Sequence, residues 1–402
     1  MCSKTRRAIS AALLYLATNS VSAEGIIDLK PHVGLNTTYD DNVFRFSSKE
    51  EAKRASGSST TSDTILRAEV GLNVNLRLSR QLFSFTSNIS DNKYNRFNQL
   101  DNIGKSYGLK WSWRLGNDLF GELGAEENKS IAGFDELRST SKNNRTYKRQ
   151  FVSANWQFHP GWTVLVDRSA TQSENGSDNF NSLDRDSDVS EIGLQYASQL
   201  GTQLGLAFRD TKSRYPNRAG FSRIFFGNEN IQEEVILNAA CWPSAKTRFS
   251  GYVSHFNLDY KDAFRDSISG FSERFNIDYL ATAKTAVNLS LYKEISAVDD
   301  IVSTYVEIRG FEINPSWTAS DKLKLSVGLG YEKRDYLGDA GLLVVSADSR
   351  FDESKNVNLS LAYAPTLKSH VQLAYLGERR TSNQQGQGYD VNILSMSLQY
   401  NF

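Results

Sequence analysis

The chain has 402 residues, with 46 basic and 46 acidic side chains, so its formal net charge at pH 7 is zero. A neutral chain lacks the basic excess of nucleic-acid-binding proteins, and we expect no nucleic acid among its partners. The 22 Phe, 18 Tyr and 6 Trp, with only 6 Pro, argue against a disordered chain. A hydrophobic content of 39% fits either a soluble periplasmic β protein or an outer-membrane barrel whose strands are apolar on one face only.

The N-terminal segment, residues 1–23, has the pattern of a secretory signal peptide. Basic residues at 4–7 precede a short apolar run, and small residues at 21–23 precede the expected cleavage point. The apolar run is too short to span a bilayer as a helix. We therefore predict export from the cytoplasm and a mature chain of residues 24–402. Cys241 is the single cysteine of that mature chain, so no internal disulfide is expected.

The clearest predicted strand runs from Leu66 to Leu78. Seven apolar residues alternate there with polar or charged ones, which is the period of a strand with one apolar and one polar face. The last nine residues, LSMSLQYNF, alternate in the same way and end on Phe402. Because a barrel removes its sheet edges by pairing the last strand with the first, we expect this segment to be the closing strand.

Short and long connections alternate along the chain. Tight turns are predicted near residues 79, 116, 159, 198, 242, 281, 318 and 364, and long polar segments lie between them. Outer-membrane barrels have this asymmetry, with short periplasmic turns and long outer loops. The pattern predicts an all-β, transmembrane antiparallel outer-membrane barrel of about 18 strands (16–18), with both termini in the periplasm. The alternatives are a soluble β domain and a propeller, whose four-stranded blades would not alternate connections so regularly.

Every tryptophan lies within about six residues of a predicted short turn, as expected for aromatic side chains at one membrane interface. With the terminal aromatic, the predicted periplasmic girdle consists of Trp111, Trp113, Trp156, Trp162, Trp242, Trp317 and Phe402.

The polar phase of the strands should face the lumen. The candidate transport residues on that phase are Arg67, Glu69, Asn73, Arg77, Lys110, Arg114, Arg209 and Lys324. Mixed charges and amides are typical of a hydrated channel, and about 18 strands leave an aqueous bore. The alternative is a polar face that only solvates a plugged lumen. Arg77 and Arg114, near the periplasmic mouth, either attract anions or pair with Glu69 and Glu122.

No catalytic, cofactor or metal site is predicted. The four histidines have no metal-ligand spacing. Ser254 and His255 are neighbours in a predicted strand, so their side chains face opposite sides and cannot act together. The Asp40-Asp41-Asn42 run lacks the remainder of a calcium-binding loop and is expected at the outer rim.

The segment Tyr39–Arg45 reads aromatic-Asp-Asp-Asn-apolar-Phe-Arg. It resembles the opening of the β-barrel porin 2 family, which includes outer-membrane proteins of exopolysaccharide biosynthesis operons (EpsL-type). The resemblance implies a non-enzymatic conduit that exports an exopolysaccharide across the outer membrane of a Gram-negative bacterium. The alternatives are a general or small-solute porin, and a surface adhesin or structural barrel. The expected partners are the outer-membrane bilayer, lipopolysaccharide, the barrel-assembly machinery, periplasmic polysaccharide-export components and a secreted polysaccharide.

Overall fold

The computed structural model describes residues 26–135, 139–261, 266–297, 305–337 and 349–402. These residues form one antiparallel sheet of 18 strands that closes on itself, so the predicted barrel is confirmed. The predicted signal peptide lies outside the described residues. The strands are β1 (Ile27–Asp40), β2 (Asp63–Leu78), β3 (Gln81–Tyr94), β4 (Asn102–Leu115), β5 (Leu119–Ile131), β6 (Asn144–His159), β7 (Trp162–Asn175), β8 (Arg185–Ala197), β9 (Gln203–Arg214), β10 (Glu229–Ser244), β11 (Thr247–Lys261), β12 (Ile268–Thr282), β13 (Thr285–Ala297), β14 (Tyr305–Ser320), β15 (Leu323–Leu337), β16 (Phe351–Tyr363), β17 (Ser369–Ser382) and β18 (Tyr389–Asn401).

The barrel closes where the sequence predicts. β1 pairs with β2 on one side and with β18 on the other, in a register that runs from His32 opposite Asn401 to Asp40 opposite Ile393. The amide of Phe402 continues this seam by donating a hydrogen bond of 3.0 Å to the carbonyl of Pro31. None of the described strands is therefore left with an open edge.

The strands are longer than the sequence pattern indicates, at 12 to 16 residues. The polar segment between the predicted turns near residues 116 and 159, for example, belongs in part to strands, because β5 continues to Ile131 and β6 begins at Asn144. A membrane crossing needs about 9–11 tilted residues, so each strand extends beyond the apolar layer at its loop end. The alternation of apolar and polar residues ends there because both faces of the strand contact water. The strand itself continues, because its backbone amides still form hydrogen bonds with the neighbouring strands.

The apolar phase of the strands faces away from the lumen. Leu109 and Leu237, for example, are each 59% exposed although they lie mid-strand. Large apolar side chains left uncovered around a closed barrel form the band that contacts membrane hydrocarbon. Among the described residues, no helix is long and apolar enough to cross a membrane.

The residues predicted to form the aromatic girdle lie at the short-turn ends of their strands, and all but one follow the outward phase. Trp111, Trp113, Trp156, Trp162 and Trp317 follow the outward phase at the short-turn end of their strands, and Phe402 packs edge-on against Tyr400 with ring centroids 5.0 Å apart. Trp242 is different. It follows the outward Cys241 and so falls on the inner phase, 5.2 Å from the guanidinium of Arg248, which pairs with Asp278 on the inner wall. Its proximity to a turn was correctly predicted, but its face was not.

The connection between β1 and β2, residues 41–62, is anchored by an aromatic cluster. Phe44 is 2% exposed, and its ring lies 4.8 Å from that of Phe97 and 4.9 Å from that of Phe134, which belong to the two following loops. Val43 and Leu100 complete the buried core of the cluster together with Tyr94 on β3. Two short α-helices lie in the described parts of the loops: α1 (Lys49–Ser56) in this connection and α2 (Gly220–Phe226) between β9 and β10.

The segment that carries the family resemblance is the start of this anchor. The Asn42 side chain accepts from the amide of Phe46 at 2.9 Å and donates to the carbonyl of Asp390 on β18 at 3.0 Å. Asp41 accepts from the backbone and side-chain nitrogens of Asn392, both at 2.8 Å. Arg45, with a left-handed φ of 58°, folds back onto Asp40 at 2.9 Å. The motif therefore fixes the first loop to the barrel seam at the rim, as its predicted position required.

The orientation is testable with inserted epitope tags. Because long loops face outward in such barrels, a tag between Ser58 and Ser59, both exposed, should be labelled by antibody on intact cells. The same tag in the short turn at Ser79–Arg80 should be labelled only after the outer membrane is permeabilised. Labelling of the Ser79–Arg80 tag on intact cells would reverse the assigned orientation.

Replacing Phe44 with Ala should lower the free energy of unfolding by about 3–4 kcal/mol, because it leaves a cavity among three loops. Tryptophan fluorescence during urea titration of the barrel in lipid vesicles measures this. Phe46→Ala, at a half-buried position of the same cluster, is the matched control and should cost clearly less. Equal effects of the two substitutions would contradict a core centred on Phe44.

Candidate functional site: the inner wall of the barrel

All eight predicted transport residues lie on the inward phase. The phase follows from the strand registers, because each residue alternates with outward apolar neighbours. Arg67, Asn73 and Arg77 share β2 with Glu69, whereas Lys110 and Arg114 lie on β4. Arg209 is on β9 and Lys324 is on β15. They occupy different parts of the wall, so they do not form a single site.

The registers align inward residues into rows that run across the wall. One row, in the order of the strands from β2 to β10, consists of Arg77, Leu82, Ser112, Glu122, Ser153, Asp167, Glu191, Arg209 and Glu234. The sequence pattern identified the two arginines as lumen-facing but did not single out Asp167, Glu191 or Glu234. The strands of these three acidic residues also carry outward apolar residues, so the alternation could have shown that the three carboxylates face the lumen. It could not have shown that they are neighbours.

Four of the six charged side chains of this row are in ion pairs: Glu191, Arg209 and Glu234 with one another, and Glu122 with a residue of the next row. The Nε of Arg209 donates to Glu191 at 2.7 Å, and its Nη1 lies 3.5 Å from Glu234. Lys110, one row above, lies 3.0 Å from Glu122, and the Ser112 hydroxyl donates to the same carboxylate at 2.9 Å. Pairs of this kind let charged groups line the bore without a large single-sign field.

Arg77 and Arg114 do not take the carboxylate partners that the sequence allowed. Glu69 pairs with Arg67 at 2.9 Å, and Glu122 pairs with Lys110. The guanidinium of Arg114 instead lies 5.1 Å from the ring centre of Phe120. Within the described part of the chain, no carboxylate is within ion-pair distance of either arginine. Two uncompensated positive charges therefore stand near the short-turn mouth, as one of the two alternatives predicted.

A second row crosses the wall from β11 to β15. Arg274 lies 2.7 Å from Glu294 and stacks 4.4 Å over the ring of Tyr292. The Tyr292 hydroxyl donates to Glu332 at 3.1 Å, passing over Gly310. A β-carbon at Gly310 would meet that hydroxyl at 2.5 Å, so glycine is required for this contact across two strands. The row therefore forms a rigid, internally bonded section of the wall.

The loop end of the wall contains a buried ion cluster. The Asp352 side chain is 0% exposed and accepts hydrogen bonds from Arg350 and Arg380, and Tyr336 lies against both arginines. A buried carboxylate with two guanidinium partners is held in one geometry, because losing either partner would leave an uncompensated charge. The cluster fixes the rim of β15 to β17.

The described residues form no arrangement of side chains that is typical of a catalytic site. Ser254 faces inward, 1% exposed, and its hydroxyl lies 3.3 Å from Glu234. His255 faces outward, edge-on to Phe271 at 4.9 Å. The two side chains are on opposite faces of β11, as predicted. Across these same ranges, no group of three His, Cys, Asp or Glu residues could hold a metal ion.

No protein-family model matches this sequence, and no curated protein matches it. Solved structures do match its fold. OccK2 (OpdF) from Pseudomonas aeruginosa, in complex with glucuronate, has a TM-score of 0.52 at 10% identity, over 94% of this chain and 100% of that one. OccAB3 from Acinetobacter baumannii has a TM-score of 0.51 at 11% identity, over 93% of this chain and 99% of that one. The outer-membrane protein opdK from Pseudomonas aeruginosa has a TM-score of 0.50 at 12% identity, over 93% and 99%.

The chain has the fold of an outer-membrane porin. Its outward apolar band and closed ladder are the features that a barrel needs in a bilayer. At 10–12% identity the likeness concerns the fold, so the chemistry of this porin-like barrel must be argued from its own inner wall.

Replacing Arg209 with Gln should make the channel more selective for cations. The substitution leaves Glu191 and Glu234 without their shared positive partner and adds negative charge to the bore. The reversal potential of a planar bilayer under a salt gradient measures the shift. Lys212→Gln is the matched control, since Lys212 is on the same strand but faces outward, and it should leave the potential unchanged. An unchanged potential for Arg209→Gln would remove this residue from the conducting wall.

Proposed function

We propose that this porin-like barrel is a passive diffusion channel for small hydrophilic solutes. The observation that supports it most is the inner wall, where charged and hydrogen-bonding side chains recur from strand to strand of a barrel wide enough to hold an aqueous bore. Such a wall replaces part of the hydration of a polar solute during passage. No covalent step is needed, and we propose no enzymatic role.

The loop end of the barrel favours a small solute over a polymer. Phe44, Phe97 and Phe134 join three loops above β1 to β5, and Lys142 donates to the carbonyl of Asp101 between two of them. Loops bound to one another on this side leave less room for a continuous chain than for a single solute.

Export of an exopolysaccharide is the second candidate, and it rests on the resemblance of Tyr39–Arg45 alone. In the structure that segment binds the first loop to the seam with β18. Its residues are accounted for by barrel architecture, so they carry no information about the cargo. The OccK2 structure holds glucuronate, a single sugar acid, and we take from it only that a barrel of this fold admits such a solute.

The partners follow from the same proposal. The bilayer contacts the outward apolar band. Lipopolysaccharide and the barrel-assembly machinery are proposed as partners on the general grounds that apply to outer-membrane barrels. Periplasmic export components and a secreted polysaccharide belong to the second candidate only. An adhesin would depend on the outer loops instead of the bore.

Liposome swelling separates these functions. With the purified barrel in vesicles, we expect rapid swelling in arabinose and sucrose and none in a dextran, since the wall accommodates solutes of that smaller size. Planar bilayers should show discrete ion-conducting steps from the same preparation. Passage of the dextran would favour the polymer conduit. Correctly folded barrels that neither conduct ions nor pass sugars would favour the adhesin or structural role.

A further inference from the structure

Two concavities adjoin on the inner wall, and they differ in the balance of their charges. The first, about 540 Å³, lies at the short-turn end of β2 to β6, and three arginines, among them Arg77 and Arg114, line it with a single carboxylate; we call it the basic pocket. The second, about 700 Å³, spans β4 to β10, and five carboxylates, among them Asp167, Glu191 and Glu234, line it with four basic side chains; we call it the acidic pocket for this small excess of carboxylates. Glu122 and Ser153 line both, so the two pockets are continuous.

The basic pocket offers positive charge that the protein does not use. Arg77 and Arg114 are exposed to the bore, and in the ranges that the structure describes neither has a carboxylate partner. The single carboxylate between them and the acidic pocket, Glu122, is already bound by Lys110 and Ser112. The ring of Phe120 supports Arg114 from one side and leaves its donors available. An arginine so placed is suited to a carboxylate, whose two oxygens match its donors.

The acidic pocket offers the complementary charge. Asp167, Glu191 and Glu234 share one guanidinium, that of Arg209, which bonds the two glutamates. Asp167 is in register with Glu191, but the described residues provide no hydrogen-bond or ion-pair donor to it. One carboxylate is thus half-buried on the wall with unused acceptors. An ammonium group, a compact donor of three hydrogen bonds, fits such a site.

From these two pockets we propose that the preferred solutes are zwitterions of the size of a short peptide, with a carboxylate bound at Arg77 and Arg114 and an ammonium bound at Asp167. A solute with two negative ends would be repelled by the acidic pocket, and one with two positive ends by the two free arginines. Only a solute with both charges satisfies both pockets, so the discrimination has an attractive and a repulsive part.

The spacing agrees with a dipeptide or tripeptide. β4 and β7 are three strand spacings apart, and Arg114 is in register with Leu165, two residues before Asp167, so the backbones that bear Arg114 and Asp167 are about 16 Å apart. Both side chains project into the bore, which shortens the distance between the charged groups. An extended dipeptide or tripeptide spans about 7–11 Å. This inference rests on the proposed solute channel, since it assigns a substrate class to the same inner wall.

The test is block of single-channel current by three probes of similar length: triglycine, the dianion azelate and the dication 1,7-diaminoheptane. We expect triglycine to reach half-block at a concentration about three- to fivefold lower than either other probe, because it can form one more ion pair in a hydrated site. Arg114→Gln should abolish the preference over 1,7-diaminoheptane, and Asp167→Asn the preference over azelate.

Matched controls come from the rest of the wall. Glu312 is inward and exposed and has no ion-pair partner among the described residues, and Arg248 is inward on β11, where it pairs with Asp278. Arg248→Gln and Glu312→Gln change the net charge of the bore as much as Arg114→Gln and Asp167→Asn do but lie outside the two pockets, so the preference for triglycine should persist. Equal half-block by all three probes in a conducting wild-type channel would overturn the inference and leave the channel function standing. Loss of preference in the controls as well would also overturn it, because the effect would then be one of total charge. Absence of any conductance would overturn the channel function itself.

Discussion

The structure depends on one constraint: every backbone amide within the membrane must find its partner inside the protein. Hydrocarbon offers no hydrogen bonds, so an antiparallel sheet can cross it only when closed. The pairing of β1 with β18 meets this requirement, and the amide of Phe402 extends the seam to the last residue. At the rim the seam continues through Asp41 and Asn392, where the first loop is fixed to the last strand. Closure therefore determines both the barrel and the position of its outer loops.

Closure also determines where charges meet. Once the register of each strand pair is set, inward residues far apart in the chain become neighbours along a row, as Arg77 and Asp167 are members of one row across β2 to β7. Some of these encounters neutralise charge, as between Arg209 and Glu191. Others leave it available, as at Arg114. The proposed selectivity depends on the charged side chains of the inner wall that have no ion-pair partner, while the other charges of the wall are paired with one another.

The sequence by itself determined the architecture. A two-residue period fixes which face of each strand is apolar, and the alternation of short and long connections fixes strand number and orientation, because both are local properties of the chain. The inward phase of Arg67, Lys110 and Lys324 followed from the same period. Strand length did not, since the period disappears where both faces of a strand are wet, as in β5 beyond Glu127.

Only the tertiary structure decided which residues meet. The alternation of apolar and polar residues shows which face of a strand a residue occupies, but it does not show how neighbouring strands are aligned. It therefore could not reveal that Glu69 pairs with Arg67 and not with Arg77, or that Asp167 lies beside Glu191. Trp242 was assigned to the girdle from its nearness to a turn alone, but it follows the outward Cys241 and its ring lies beside Arg248 on the inner face. The role of Asn42 likewise depends on β18, some 350 residues away in the chain. Contacts between distant strands arise from closure of the barrel, which no local pattern encodes.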